Sequence, residues 1–311
     1  MHPIKIKGSA LLTALFIMTL VAIVATAMSV RLQSDIYRTQ LVLFHDKLYL
    51  ESQAVTFWGL NQLKNPQNFF SKIQKQGTVA QYPNNSITNS PLVLSGGLYD
   101  LQAQFNLNNL IDKKKAPFFI NLINNIIPKI PEQESQKLLS DIIKWISPYD
   151  PGKGSDDTIT YYLSQKPPYY PSHQFMESKS ELRLVRNMNA TTYLLLEPFI
   201  TTLPENTAIN INTASKTILS ALGDGLNQNQ VNELITARSK MGITDLNTIG
   251  MLLTKLDIPK EQITIESTYF LSVASVSSKD SNLVVYSLIK RARDKNNKLT
   301  VRILRESIQT F

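Results

Sequence analysis

The sequence predicts an α+β fold: a long N-terminal helix packs on an antiparallel sheet, and a large helical segment is inserted into that sheet. Three observations support this prediction. An uncharged apolar run from Ser9 to Val30 leads into a longer amphipathic pattern. One alternating segment precedes residue 108 and three more follow residue 261, with mainly helical patterns between them. The 311 residues are enough for one large domain or a few smaller ones.

The N-terminal apolar run is long enough to cross a bilayer. It follows a short leader, residues 1–8, that carries two lysines, and it ends at Arg31. About 20 apolar residues span the hydrocarbon core, and lysines before the span predict a cytoplasmic N-terminus with the rest of the chain exported. A secretory signal peptide is the alternative, because Ala25-Thr26-Ala27 offers a small-x-small cleavage site.

The helical pattern continues beyond Arg31, which favours a retained helix over a cleaved signal. Apolar residues recur there at mostly three-, four- and seven-residue steps; they are Leu32, Ile36, Leu41, Phe44, Leu48, Val55 and Trp58. No proline occurs from Ser9 to Leu63, and the single glycine is Gly59. We therefore expect one helix over residues 9–63, about 75 Å long, with its first half in lipid and one face of its second half on a soluble domain.

Alternating segments on both sides of the helical region predict the sheet. Residues 98–107 alternate apolar and polar side chains, whereas 64–97 predicts a loop-dominated connection, so that 64–107 comprises a linker and the first strand. Within 261–311, three further segments alternate, separated by turn residues at 278–282 and 294–297. Together these segments predict a four-stranded antiparallel sheet.

Two helical blocks are expected between the sheet segments. In the first, residues 108–202, the stretches 117–127 and 132–145 are amphipathic, and the second stretch carries Leu138, Leu139, Ile142, Ile143 and Ile146 on one face. The second, residues 203–260, opens with N-x-N-T-A-S, comprising Asn210, Asn212, Thr213, Ala214 and Ser215. Hairpin glycines follow at Gly223 and Gly225, a layout that matches a helix-hairpin-helix, or SAM-like, fold.

DNA-binding versions of such a hairpin hold a phosphate on their backbone amides. Here Asp224 lies between the two glycines, where a carboxylate would repel a phosphate. The net charge of +8 is scattered, and the lysine clusters at 113–115 and 290–298 lack interleaved aromatic residues. An exported DNA-binding protein, acting through Lys216 and Lys240, remains the alternative function.

Composition excludes several kinds of catalytic site. The chain has no cysteine, which excludes disulfides, thiolate chemistry and cysteine-based zinc sites. Its three histidines, His2, His45 and His173, are far apart in sequence. It also lacks the G-x-S-x-G, glycine-rich phosphate-loop and H-E-x-x-H patterns, so no enzyme is expected. His173 is interpreted as a structural or exposed histidine. The aromatic residues are interpreted as core or interface residues rather than a ligand cage; they are Trp145, Tyr161, Tyr162, Tyr169 and Tyr170.

One loop has the composition of a cation site. Asp150, Asp156 and Asp157 lie in a segment rich in glycine and proline, with Ser147 and Ser155 nearby. Calcium takes several oxygen ligands from flexible loops, which makes it the candidate ligand. A plain acidic surface loop is the alternative, and we expect no required cofactor.

The N-terminus resembles that of type IV prepilins and type II secretion pseudopilins. In those families a membrane peptidase cleaves after the glycine that ends a short basic leader, here Gly8, and methylates the new N-terminus, here Ser9. Most members carry glutamate at the fifth mature position, where this chain has Thr13. Its absence is typical of one member, the minor pseudopilin K. In the family that glutamate is thought to neutralise the N-terminal amine of a neighbouring subunit, as a carboxylate in lipid needs a partner.

The globular part resembles the pseudopilin K family more specifically. The run DLQAQFNLNNL at 100–110 is similar to that family's first strand, and the N-x-N-T-A opening to its SAM-like block. Further similar stretches occur at 145–146, 167–169 and 181–186. The resemblance also implies calcium in the helical domain, although Ser147 and His173 replace a common aspartate and asparagine.

The resemblance implies assembly rather than catalysis. The chain would be held in the bacterial inner membrane with its soluble domain in the periplasm, cap the tip of a short pseudopilus and help to initiate its assembly. The implied partners are the minor pseudopilins of the I, J and H types, the major pseudopilin and the prepilin peptidase. No nucleic acid is expected.

Overall fold

The first element is one α-helix, α1 (Ser9–Lys64), of 56 residues. The computed structural model describes residues 9–65, 77–83, 92–150, 157–238, 242–279 and 281–310. The chain divides into two units, Met1–Glu51 and Ser52–Phe311, and the boundary falls inside α1. All described residues of the first unit therefore belong to α1, and the last part of α1 is the first element of the second unit. The predicted single long helix is confirmed.

The second unit contains short helices and two kinds of strand. The helices are α2 (Ala116–Ile126), α3 (Glu132–Ile146), α4 (Asp157–Leu163), α5 (Ala190–Leu196), α6 (Lys216–Leu219), α7 (Gln228–Arg238) and α8 (Gly250–Lys255). The longer strands are β1 (Thr78–Gln81), β2 (Val93–Asp100), β7 (Tyr269–Ser277), β8 (Asn282–Arg293) and β9 (Leu299–Ile308). Between β2 and β7 lie the two-residue strands β3 (Phe105–Asn106), β4 (Ile200–Thr201), β5 (Ile209–Asn210) and β6 (Ile263–Thr264), paired β3–β4 and β5–β6.

The main sheet is antiparallel, with the strand order β1-β2-β7-β8-β9. It has five strands where four were predicted, because β1 forms inside the segment expected to be a loop. The strand predicted at 98–107 is also wrong in its bounds, since β2 covers residues 93–100. The Asp100 side chain accepts a hydrogen bond from the Gln102 amide at 2.8 Å, which starts a 3-10 turn and ends the strand. Alternation beyond Asp100 thus reflects a buried 3-10 turn followed by the two-residue strand β3, which belongs to a different sheet.

The predicted turns between the last three strands are confirmed. In the β8–β9 turn, Asp294 Oδ1 accepts from the amides of Asn296 and Lys298, both at 2.9 Å. Asn297 has φ of +60°, a left-handed conformation that asparagine adopts more readily than most residues. In the β7–β8 turn, the Ser278 amide donates to the Ser281 carbonyl at 2.8 Å.

The second unit's part of α1 packs on one face of the main sheet. Its buried residues are Ser52, Val55, Thr56, Gly59 and Leu63, a stripe at the spacing of one helix face. Opposite Val55, a side chain at Gly96 would place its Cβ 2.8 Å from Val55 Cγ1 and 2.3 Å from the Val273 carbonyl oxygen. Glycine at 96 therefore allows the helix to approach β2 closely.

The predicted apolar face of α1 packs over only part of its length. Leu32, Ile36 and Leu41 are exposed, each by about half or more of its surface. These three belong to the first unit, whose described residues are all α1 itself. Leu48, further along the same face, is buried. Trp58 is half-buried and contacts Tyr82 edge-on, with ring centroids 5.6 Å apart.

The region between β2 and β7 is built around one hydrophobic core. That core extends from Phe105 to Ile263 and joins residues of both predicted helical blocks. The predicted amphipathic stretches are helices α2 and α3, and Leu138, Leu139, Ile142 and Ile146 are buried as expected. A smaller cluster joins Leu101 and Leu203 to three sheet residues: Tyr269, Leu271 and Leu288. This cluster lies on the sheet face opposite α1, so the sheet is covered from both sides.

Candidate functional sites: membrane anchor and helical insertion

The candidate membrane anchor is the apolar part of α1. Every side chain from residue 9 to 43 is exposed, including large apolar ones such as Leu11, Phe16 and Met18. Within the described part of the chain, α1 is the one helix long and apolar enough to span a bilayer. Such a surface is unfavourable in water and favourable in lipid, so it fits single-pass anchoring in a membrane.

Thr13 has its polar group satisfied within the helix. Its hydroxyl shares one hydrogen between the carbonyls of Ser9 and Ala10, each at 3.0 Å. Thr19 and Thr26 bond carbonyls of their preceding turns in the same way, at 2.8 Å. A hydroxyl that bonds its own helix can be buried in lipid at little cost, and it carries no charge to offer a neighbouring subunit.

The predicted processing site lies at the boundary of the described residues. Gly8 falls outside them, and Ser9 is the first residue of α1. Cleavage between these two residues and methylation of Ser9 therefore remain predictions. The competing signal-peptidase site, Ala25-Thr26-Ala27, is helical, well inside α1.

Asp100 connects the end of β2 to the helical insertion. Its carboxylate is buried and accepts hydrogen bonds from Thr213 Oγ1 at 2.6 Å, Ser267 Oγ at 2.7 Å and Asn210 Nδ2 at 2.9 Å, besides the Gln102 amide. Burial raises the pKa of the Asp100 carboxyl, although these hydrogen bonds oppose the rise. Asn210 and Thr213 belong to the N-x-N-T opening, so this motif attaches the hairpin block to the sheet.

Three buried asparagines follow Asp100 and bond segments distant in sequence. Asn106 Oδ1 accepts from the Leu203 amide at 3.0 Å, and Asn108 bonds both backbone groups of Met176, at 2.9 Å. Asn109 bonds both backbone groups of Thr207, at 2.7 and 2.9 Å. Buried amides with satisfied donors and acceptors fix chain geometry, so these residues are structural.

The hairpin of the second helical block has its amides occupied by protein acceptors. The Gly223 amide donates to Gln262 Oε1 at 3.1 Å, the Gly225 amide to the Leu222 carbonyl at 3.0 Å and the Leu226 amide to the Ser220 carbonyl at 2.8 Å. Gly223 and Gly225 have positive φ, of +57° and +98°, as the predicted tight turn requires. These amides are not available to hold a phosphate.

Side-chain charges around the hairpin also disfavour a phosphate. Asp224 is exposed at the tip, where its carboxylate would repel an anion. Arg238 is buried, and its Nη2 donates to the Ala214 carbonyl at 2.9 Å, while burial lowers its pKa to about 10. Lys216 is exposed, and Lys240 lies outside the described residues. The hairpin is therefore built for packing rather than for anion binding.

The structure describes only part of the predicted calcium loop. Asp157 is the first residue of α4, Asp150 ends the preceding described segment, and Asp156 lies outside the described residues. The described residues contain no group of three His, Asp or Glu side chains that could hold a metal ion. The calcium site stays a prediction, because one of its three carboxylates is among the residues not described.

His173 and the neighbouring aromatic residues pack together as structural groups. His173 has φ of +50°; its amide donates to the Trp145 carbonyl at 2.8 Å, and its Nδ1 lies 3.0 Å from the Ser147 carbonyl oxygen. Trp145 contacts the buried Tyr162 edge-on, with ring centroids 5.2 Å apart. Burial raises the pKa of Tyr162 to about 12, and its hydroxyl accepts from the backbone of Arg186 at 2.9 Å.

Comparison with known proteins identifies the family. Two family models match the chain, and both describe protein K of the type II secretion system. One matches residues 103–205 and the other 209–266, together slightly more than half of the chain. The chain belongs to the type II secretion protein K family. The matched residues are those of the insertion, including its asparagine cluster and its hairpin.

Relatives and a solved structure agree with the assignment. The type II secretion system protein K of Pseudomonas aeruginosa is 25% identical over 305 aligned residues, covering 93% of this chain and 90% of that protein. The corresponding protein of Aeromonas hydrophila is 27% identical over 336 residues, covering 94% and 95%. A chain in the crystal structure of the GspK-GspI-GspJ complex from the enterotoxigenic Escherichia coli Type 2 Secretion System has a TM-score of 0.69, at 21% identity, and covers 88% of this chain and 100% of that one.

As a protein K, the chain is a minor pseudopilin of type II secretion, a structural component of that apparatus. The likeness to the solved structure confirms the pilin-like α+β fold with its helical insertion. The comparisons give no support to the DNA-binding alternative, in agreement with the occupied hairpin amides.

The residues that sequence reasoning missed are the partners at the insertion junction. The sequence identifies the 100–110 segment as a family signature and predicts a strand there, but it assigns no role to Asp100. One signal was present in the sequence, since three asparagines stand among apolar residues. Asparagine is seldom buried without hydrogen-bond partners, so such a cluster predicts buried bonds to another segment.

Proposed function

We propose that this minor pseudopilin caps the tip of the type II secretion pseudopilus and helps to initiate its assembly, without catalysing a reaction. The observation that carries the proposal is Thr13, whose hydroxyl bonds its own helix. In lipid, the N-terminal ammonium of an adjacent subunit needs a carboxylate partner. A subunit that offers none at this position suits the end of the filament, where one neighbour is absent.

The helical insertion supports the same position. It lies between β2 and β7 and has a core of its own, which a plain pilin-like sheet would lack. Its attachment through Asp100 and through Leu203 holds it on the sheet. The bulky insertion would obstruct another subunit stacked on the same end of the molecule. A subunit at the tip of the filament has no neighbour at that end, so the obstruction is compatible with capping.

The expected route to the filament begins in the inner membrane. The lysines of the leader and the single apolar span favour a cytoplasmic N-terminus, with the globular unit in the periplasm. Prepilin peptidase would then cleave between Gly8 and Ser9 and methylate Ser9. The unbroken helix through Ala25–Ala27 supports retention of the span over its removal by signal peptidase.

The expected partners are other pseudopilins. The solved structure that this chain resembles is a complex of GspK with GspI and GspJ, so we infer contacts with minor pseudopilins of the I and J types. The H-type minor pseudopilin and the major pseudopilin would follow below them in the filament. No nucleic-acid partner is expected.

Immunogold labelling of pseudopili from cells that overproduce the major pseudopilin tests the proposal. Antibodies against the globular unit of this chain should label one end of each filament, whereas antibodies against the major pseudopilin label its whole length. The Thr13→Val variant should keep the end label, since the native hydroxyl bonds only its own helix. Labelling of this chain along the shaft would contradict the capping role.

A further inference from the structure

A cleft on the sheet face opposite α1 has no role in the assembly proposed above. Its volume is about 700 Å³, the size of a site for a few residues of polypeptide. Strands β8 and β9 form its floor, and the insertion segments around Met176 and Pro204 form its walls. Leu288, Leu304 and Phe175 give the cleft an apolar lining.

A β-bulge in β9 determines which side chains line the cleft. Ile303 pairs with Ile289 and Arg305 with Leu288, so Leu304 is an extra residue between two successive pairs. The bulge reverses the alternation after it. Arg302, Leu304 and Arg305 therefore all line the cleft.

The same bulge turns Glu306 away from the cleft to the α1 side of the sheet. There its carboxylate accepts from Ser287 Oγ at 3.0 Å and lies 3.3 Å from Gln53 Nε2. A strand that kept the alternation from Arg302 would place Glu306 on the cleft face and Arg305 on the α1 face. The bulge thus removes the Glu306 carboxylate from the cleft and adds the Arg305 guanidinium to it.

One cation of the cleft has no close partner. Lys290 Nζ lies 2.7 Å from Glu205, whose carboxylate also accepts from Tyr269 at 2.6 Å. Burial acts to raise the pKa of Glu205, but these two hydrogen bonds and the charges of Lys290 and Arg302 together lower it. The Arg302 side chain, in contrast, is exposed and makes no hydrogen bond or ion pair within the described residues. Its charge acts on Glu205 through the Coulomb interaction alone, without a hydrogen bond or ion pair.

The remaining charged groups leave the cleft with a positive balance. Arg305 Nη1 donates to the Glu177 carbonyl at 2.6 Å, which ties β9 to the wall of the cleft. The Glu177 side chain is exposed at the rim. Three cations thus face two carboxylates, one of which is already held by Lys290.

We propose that this cleft binds an extended, acidic segment of a partner protein. A carboxylate of the segment would pair with Arg302, whose planar guanidinium suits a two-point bond, and apolar side chains next to it would cover Leu288 and Leu304. β9 is the last strand of the sheet, so within the described residues its outer edge has no strand neighbour and an extended segment has access along it.

Two blocked hexapeptides test the proposal, Ser-Leu-Asp-Phe-Glu-Ser and its amide counterpart Ser-Leu-Asn-Phe-Gln-Ser. Binding to the full chain in neutral-detergent micelles is measured by fluorescence anisotropy with an uncharged dye. We expect saturable binding of the acidic peptide, weakened by added salt, and much weaker binding of the amide peptide. Arg302→Gln should reduce the affinity for the acidic peptide about fivefold or more.

Arg293→Gln is the matched control. Arg293 is an exposed arginine at the end of β8, outside the cleft, and its replacement changes the net charge of the chain equally. It should leave the affinity unchanged. The proposal is overturned by the absence of saturable binding, by equal binding of the two peptides, or by equal effects of the two arginine substitutions.

Discussion

Asp100 is the residue on which the connection between sheet and insertion depends most. Its carboxylate, at the end of β2, accepts from donors of the N-x-N-T opening and from Ser267, just before β7. These donors lie 110, 113 and 167 residues away in sequence. A carboxylate has only acceptor sites, which is what four converging donors require.

Replacing Asp100 by asparagine should therefore be costly despite the similar shape. The amide nitrogen of Asp100→Asn would meet the Gln102 amide on one side or the Asn210 amide on the other, a contact between two donors. We expect a loss of about 1–3 kcal/mol in the free energy of unfolding. Urea unfolding of the full chain in neutral detergent, followed by tryptophan fluorescence, measures this; Trp145 in the insertion core is a suitable reporter.

Asp224→Asn is the control for that substitution. Asp224 is exposed at the hairpin tip, so its replacement should change stability by less than about 0.5 kcal/mol. Equal urea midpoints for the two variants would show that the Asp100 hydrogen bonds contribute nothing specific.

The sequence identifies these residues but not their partners. Asn106, Asn108 and Asn109 stand out in an apolar segment, yet their bonding partners outside that segment lie between 68 and 101 residues away. Nothing in local periodicity specifies which distant backbone group a buried amide will meet. The family resemblance identified the segment, and only the structure assigns its chemistry.

Among the elements, α1 and β2 pack closely at Gly96. Gly96 has no side chain, and this absence lets Val55 approach the strand. An added Cβ would also collide with the Val273 carbonyl, which belongs to the backbone of β7 and cannot rotate away. The helix, β2 and β7 would all have to shift.

Gly96→Ala should consequently destabilise the pilin-like part of the chain. We expect a loss of about 1–3 kcal/mol in the free energy of unfolding, as for an overpacked core. Gly250→Ala is the matched control, because no atom lies within 4 Å of the added Cβ and Gly250 begins helix α8. It should be neutral or stabilise by up to about 1 kcal/mol. Urea unfolding of the full chain in neutral detergent measures both effects. Equal unfolding midpoints for Gly96→Ala and Gly250→Ala would refute the packing argument.

Elements with a regular period could be predicted, and irregular ones could not. Helices α2 and α3 fall within two residues of the predicted stretches because their apolar residues follow the helical repeat. Strand β1 has four residues, too few for alternation to distinguish it from a loop. For β2, the apolar–polar alternation continued into a buried 3-10 turn, so the pattern alone placed the strand too far along the chain.

At the scale of the whole molecule, the main sheet is covered differently on its two faces. The stripe of α1 that contains Ser52 and Leu63 covers one face, and the insertion covers part of the other. The sequence predicts the helix on the sheet and the helical insertion between its strands, because two sets of strand patterns flank a helical region, but not that the insertion covers the second face. It does not predict that both helical blocks share one core, because burial between blocks depends on distant contacts.

The central claim, a minor pseudopilin processed at its leader and anchored by α1, is tested most directly at the N-terminus. Intact-mass and N-terminal analysis of the protein from membranes, with and without prepilin peptidase, identifies the first residue of the mature chain. We predict N-methylated Ser9 when the peptidase is present and the uncleaved leader when it is absent. A chain that begins after Ala27 in both cases would contradict this account, because an ordinary signal peptide would then have been removed together with the anchor.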